Sequence, residues 1–158
     1  MTEQQKEFMR EAIRLSQRGM NLNEGGPFGS VIVLNGEIIG RGNNKVTSTN
    51  DPTAHAEVVA IREACTKLNT FQLPDCEIYA SCEPCPMCLS AIYWAKLKRI
   101  YFACSRKDAA NIGFSDDIIY SEIALELSQR AIPIQQVMRE EALTIFSEWM
   151  IKPDKIDY

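Results

Sequence analysis

The pattern of apolar and polar positions divides most of the chain into alternating helices and strands. Apolar side chains recur at helical spacing over residues 3–18 and predict an amphipathic helix. Two apolar runs at 28–34 and 37–42 flank Asn35 and Gly36, a dipeptide typical of a tight hairpin turn. The same reasoning predicts further strands at 76–81, 99–104 and 134–138, and further helices at 52–67, 84–95, 118–130 and 140–151. This order predicts an α/β protein, a three-layer α/β/α sandwich around a mixed five-stranded sheet.

Length and composition predict that the chain folds as a single domain, residues 1–158. Its 158 residues are 46% hydrophobic and 24% charged, as in folded globular proteins. The longest apolar runs are too short to cross a bilayer, and the charged first twenty residues lack the apolar block of a secretory signal. We therefore expect a cytoplasmic protein that does not contact a membrane.

Charge and cysteine usage weigh against a nucleic-acid substrate and against a disulfide framework. The net charge of −4 gives no general attraction for a polyanion, so nucleic acid is not favoured as a substrate. In a reducing compartment, the six cysteines are not expected to form a disulfide framework. Metal binding, catalysis or simple burial remain for them.

The first candidates for chemistry lie in the stretch SCEPCPMC, residues 81–88. Cys85 and Cys88 are three positions apart near a predicted helix start, so both sulfurs project from one face, where the helix dipole favours thiolates. Taken alone, CPMC is compatible with a metal site and with a redox dithiol of the thioredoxin kind. A structural zinc site would need a second cysteine pair of this kind, and the chain has none.

The stretch PTAHAE, residues 52–57, supplies the partners that would favour a metal. His55 is the chain's only histidine and lies 30 residues before Cys85, at another predicted helix start. If both starts meet at one edge of the sheet, His55, Cys85 and Cys88 would bind one Zn²⁺ per subunit and leave its fourth position open, as catalytic zinc requires. Glu57 would then carry protons beside that position. The structural alternatives are a partly buried histidine and a solvated glutamate.

The motifs HAE and PCPMC together resemble the cytidine-deaminase-like superfamily, whose signature is H-x-E with P-C-x-x-C. Further stretches are similar to the bacterial guanine deaminases of the compact, cytidine-deaminase-like type; these lie at 25–33, 43–57, 82–95 and 113–120. The resemblance implies zinc-dependent hydrolysis of guanine to xanthine and ammonia, in purine salvage or catabolism. Alternatives are deamination of guanosine, of cytosine or of adenosine in tRNA and, from another class, a non-enzymatic zinc or redox module.

Several residues receive roles from this resemblance. Phe28 would stack on the purine, Asn44 would hydrogen-bond it, and Ala56 is included among the substrate-binding positions. Asp116 would be a second catalytic residue, facing the amino group that is lost. A carboxylate only accepts hydrogen bonds, which suits the adjacent ring N–H and amine of guanine.

Two features of the C-terminal part follow from the same resemblance. Ser115 stands where the family pattern, close to GFDD, has its first acid, so Asp116 and Asp117 compete for the inward position. The tail, 152–158, would cross to the other subunit of a homodimer, where Tyr158 would close the active site.

Overall fold

A mixed four-stranded sheet forms the centre of the first of two units in the computed structural model, which describes residues 1–157. The strands are β1 Gly29–Leu34, β2 Glu37–Asn43, β3 Glu77–Cys82 and β4 Arg99–Cys104. They lie in the order β2-β1-β3-β4; β1 is antiparallel to both neighbours, and β3 and β4 are parallel. At the hairpin between β1 and β2, Asn35 and Gly36 both have positive φ, as the sequence predicts for this turn.

Helices cover both faces of this sheet, giving three layers in the unit Met1–Asp116. The helices are α1 Glu3–Asn21, α2 Val46–Thr49, α3 Ala56–Leu68, α4 Pro86–Trp94 and α5 Arg106–Asn111. Phe8 of α1 packs on Val31 and Tyr79 on one face. On the other face, Ala60 of α3 and Ile92 of α4 join the larger core cluster. The predicted α/β class and the mixed sheet are therefore confirmed.

The predicted fifth strand at 134–138 is wrong. Those residues form no strand, and β4 is the last strand in the sheet order. A strand is defined by the ladder it makes with a neighbour, and an apolar alternation such as that around Ile134 does not reveal whether a neighbour exists. The sequence therefore predicts the extended segment and not its pairing.

Close packing of α3 on β2 fixes where α3 begins. A Cβ atom added at Gly42 would collide with the carbonyl oxygen of Ala56 and lie 2.7 Å from the amide nitrogen of Ala60. Only glycine allows the helix to approach the strand so closely. The first turn of α3 is thereby held against the end of β2.

The second unit begins at Asp117 and contains α6 Asp117–Ile123, a short 3₁₀ turn Leu127–Gln129 and α7 Arg139–Ile151. No residue from 117 to 157 is buried, although α6 and α7 carry many large apolar side chains. Among the described helices of either unit, none has the length and apolar character needed to span a membrane.

Candidate active site

Two helix starts meet at one end of the sheet and bring together the three predicted metal ligands. His55 is the N-cap of α3, and Cys85 is the N-cap of α4, with Pro86 in its first turn. The Nδ1 atom of His55 lies 3.6 Å from Sγ of Cys85 and 3.5 Å from Sγ of Cys88. Ligand atoms of all three residues lie within 4.8 Å of one another. Residues separated by 30 positions in sequence thus form one cluster.

These helix starts differ in detail from the sequence prediction. The side chain of Asp51 caps a local turn, accepting bonds from the amide and hydroxyl of Thr53 at 2.8 and 2.6 Å, and α3 begins only at Ala56. Likewise Pro86, and not Pro84, occupies the first turn of α4. Both shifts place a candidate ligand at the N-cap itself.

The geometry of this cluster fits zinc. Zn–S and Zn–N bonds of about 2.3 and 2.1 Å at a tetrahedral angle place the sulfur and nitrogen atoms about 3.6 Å apart. The two His55–cysteine distances, 3.6 and 3.5 Å, agree with that separation. Two sulfurs and one nitrogen are also the ligand types that zinc prefers, and three protein ligands leave a fourth position open.

One of the two sulfurs in the cluster is a thiolate even without a metal. The pKa of Cys85 is lowered to about 4 because Cys88 and His55 donate hydrogen bonds to its thiolate. Cys88 has a raised pKa, since its thiol donates to Cys85 and is buried. The hydrogen bond to Cys85 also raises the pKa of His55. Because zinc binds thiolates, its binding would release the proton held by the Cys88 thiol.

Glu57 lies in the first turn of α3 beside these ligands. Only 7% of its surface is exposed, and Sγ of Cys88 lies 3.4 Å from its Oε2 atom. Burial, followed by the negative charge of Cys85, raises the pKa of Glu57. A buried carboxyl beside a candidate metal site is suited to take up and return a proton.

Cys82 stays outside this cluster. It is buried, its thiol donates to the carbonyl oxygen of Ser105 at 3.6 Å, and burial raises its pKa to about 11. It does not belong to the group of ligand atoms within 4.8 Å of one another, which comes from His55, Cys85 and Cys88. The three cysteines of SCEPCPMC therefore have two different environments.

Phe28 and Asn44, predicted to bind substrate, are joined through the backbone. The amide of Asn44 donates to the carbonyl of Phe28 at 2.9 Å. Asn44 is 5% exposed, and its Oδ1 atom accepts from the amides of Gly26 at 3.3 Å and Val46 at 3.1 Å. These bonds fix the carboxamide in one orientation.

The other predicted substrate-binding residues differ in how deeply they are buried. Ala56 is fully buried as the first residue of α3. Asp116 is half-buried at the end of the first unit, whereas Asp117 is exposed at the start of α6. Tyr158 lies outside the described residues.

The sequence prediction assigns no role to Phe114. Its ring meets that of Phe28 edge to face, with centroids 5.0 Å apart. The available signal was an aromatic residue two positions before Asp116 in GFSDD.

Comparison with known proteins agrees with this geometry. Residues 2–104 match the family described as the cytidine and deoxycytidylate deaminase zinc-binding region. The chain belongs to this family of zinc-dependent deaminases, and the matched region contains His55, Glu57, Cys85 and Cys88.

Within the family, the similarity extends over nearly the whole chain to a guanine deaminase. The guanine deaminase of Bacillus subtilis (strain 168) is 51% identical over 151 residues, which cover 96% of this chain and 97% of the relative. An X-ray structure of guanine deaminase from Bacillus subtilis has a TM-score of 0.94, with 50% identity over 97% of this chain and 98% of that one. A tRNA-specific adenosine deaminase of Aquifex aeolicus (strain VF5) is 43% identical over 61% of this chain and 63% of its own length.

Proposed function

We propose that this protein hydrolyses guanine to xanthine and ammonia with one zinc ion per chain. The observation that carries the proposal is the cluster of His55, Cys85 and Cys88 with buried Glu57 against it. Similarity to a guanine deaminase over 96% of the chain supports the choice of substrate.

The zinc ion and Glu57 have separate roles in the proposed reaction. When bound, zinc supplies Lewis acidity that makes water a nucleophile near neutral pH. The Glu57 carboxylate accepts one proton from the attacking water and delivers it to N3 of guanine. It then takes the second proton from the hydroxyl now bonded to C2 and passes it to the amine, which leaves as ammonia. Because Glu57 is buried beside Cys88, it exchanges these protons with the substrate and not with bulk solvent.

Recognition of the base is assigned to residues at the ends of β1 and β2 and at the start of α3. Phe28 stacks on the purine, and Asn44 donates its amide N–H, since its oxygen is already held by two backbone amides. Ala56, the first residue of α3, presents a backbone N–H that has no partner within the helix. These contacts would fix the ring plane and its rotation.

Asp116 is proposed to accept hydrogen bonds from the ring N–H and amine of guanine, and its partial burial favours it over Asp117. We expect Asp116→Asn to lower kcat/KM for guanine by about 10- to 150-fold, as loss of hydrogen bonds to a charged group implies. Asp117→Asn is the matched control and should stay near the wild-type rate. Steady-state ammonia release measures both variants, and a larger loss in Asp117→Asn would reverse the assignment.

The second unit supports a homodimer. An isolated unit of this size cannot fold without burying apolar surface, yet none of its residues from 117 to 157 is buried in the single chain. Its exposed apolar side chains include Ile118, Ile123, Phe146, Trp149 and Met150. A second copy of the chain, the commonest partner of such surfaces, would cover them.

Light scattering on the purified protein tests the dimer. We expect twice the chain mass of 17.8 kDa, and a shift toward the single-chain mass in Phe146→Glu, which places a charge in the apolar surface. A wild-type mass of one chain at micromolar concentration would contradict the dimer.

The six cysteines support a reducing, cytoplasmic location. None of the six forms a disulfide in the structure, and Cys85 and Cys88 must stay reduced to bind zinc.

A further inference from the structure

We propose that Phe114 is a positioning residue, which holds the ring of Phe28 in the orientation that stacks on the purine. The inference rests on the proposed function, because it concerns how the same site holds its substrate. Phe114 does this by direct ring contact, and it links the stacking ring to the segment that carries Asp116.

The contact has the geometry of a favourable aromatic pair. The two ring centroids are 5.0 Å apart and the ring planes meet at 89°, an edge-to-face arrangement. Phe114 itself is 47% exposed, so it is not simply a core residue. The Phe28 ring is thereby in direct contact with the Phe114 ring.

The backbone of Phe28 is fixed on both sides, so Phe114 acts on its side chain alone. The amide of Phe28 donates to Gly26 at 2.8 Å, and its carbonyl accepts from Asn44 at 2.9 Å. The next residue, Gly29, donates to the hydroxyl of Ser81 at 2.9 Å. With these bonds in place, the remaining freedom lies in the side-chain rotamer, and a neighbouring ring restricts it.

Gly26 provides the space for this pair of rings. A Cβ atom there would lie 3.0 Å from Cζ of Phe114 and 3.0 Å from Cε2 of Phe28. Both rings thus lie against the same backbone position. Two segments more than 80 residues apart in sequence thus contribute one ring each to this aromatic pair.

Phe114 also anchors the segment that leads to Asp116. Its amide donates to the carbonyl of Ala109 in α5 at 3.0 Å, and Gly113 before it has a φ of +93°. The chain therefore turns at Gly113, and the ring contact with Phe28 holds the residue that follows. Asp116 follows two residues later. The contact between Phe28 and Phe114 therefore positions both the ring that stacks on the purine and the segment that carries Asp116.

A double-mutant cycle tests this role. We expect Phe114→Ala to raise KM for guanine by about 2- to 12-fold, the range for loss of an aromatic pair, with a smaller change in kcat. In the Phe28→Ala background the same substitution should change kcat/KM by less than about 2-fold, because its target is gone. Equal losses in both backgrounds would overturn the inference, since Phe114 would then act independently of Phe28.

The matched control is Ile112→Ala, which removes an exposed apolar side chain from the same segment. It should leave KM unchanged. Phe114→Leu, which keeps an apolar side chain but removes the aromatic ring, should give an intermediate KM. Zinc content should match wild type in each variant, because none of these side chains lies in the metal cluster.

A measurement without purine separates this inference from the proposed function. In protein with labelled phenylalanine rings, nuclear Overhauser cross-peaks are expected between Phe28 and Phe114; their absence would overturn the inference whatever the substrate. Failure of the wild-type protein to release ammonia from guanine would instead defeat the proposed function, and it is seen before any variant is compared.

Discussion

Glu57→Gln is expected to retain one zinc ion per chain while guanine turnover falls by about 100- to 10,000-fold, the range for loss of a general acid–base group. Glutamine keeps the size of the side chain but cannot accept and return a proton. The metal cluster should be unaffected, because the ligands are His55, Cys85 and Cys88. Metal analysis and ammonia release, measured on the same preparation, check both parts.

Glu63→Gln is the matched control for this variant. Glu63 lies on the same helix as Glu57 but is exposed, so its substitution should leave turnover unchanged. Wild-type turnover in Glu57→Gln would refute the proton-transfer role, and loss of zinc would mean that Glu57 holds the metal cluster together.

Cys85→Ala is expected to lose both the metal and the activity. It leaves two of three protein ligands and removes the thiolate whose pKa of about 4 provides negative charge at neutral pH. Loss of a direct ligand should exceed the 10- to 100-fold effect that is usual for residues supporting a ligand. Zinc content after dialysis should therefore fall to nearly none, and turnover by more than about 100-fold.

Cys104→Ser is the control for cysteine loss in general. Cys104 is exposed on β4 and belongs to no metal cluster among the described residues. It should keep zinc and activity. If Cys85→Ala kept stoichiometric zinc, the cluster of His55, Cys85 and Cys88 would not be the metal site.

The chemistry of the metal cluster is predictable from sequence because it depends on residue type and spacing. Cys85 and Cys88 share one face of a helix start, and His55 begins the other helix that reaches the same edge. The helix starts predicted at Pro52 and Pro84 lie a few residues before the observed ones. The prediction of the metal site was unaffected, because each ligand still lies at the start of its helix.

Features that depend on contacts between residues far apart in sequence were not predictable from the sequence. The segment 134–138 has an apolar alternation but no strand partner, and no local pattern distinguishes the two cases. The contact between Phe28 and Phe114 is likewise set by tertiary structure. Burial, and not sequence, separates Asp116 from Asp117, because both are acids in one short stretch.

The most direct test measures ammonia release by the zinc-loaded protein from guanine, guanosine, adenine and cytosine, each at several concentrations. We expect kcat/KM to be highest for guanine, with xanthine as the product, because Asp116 is proposed to accept from its adjacent ring N–H and amine. No release from guanine while another of these substrates turns over would contradict the assignment, and turnover of guanosine at an equal rate would show that the site admits the ribose.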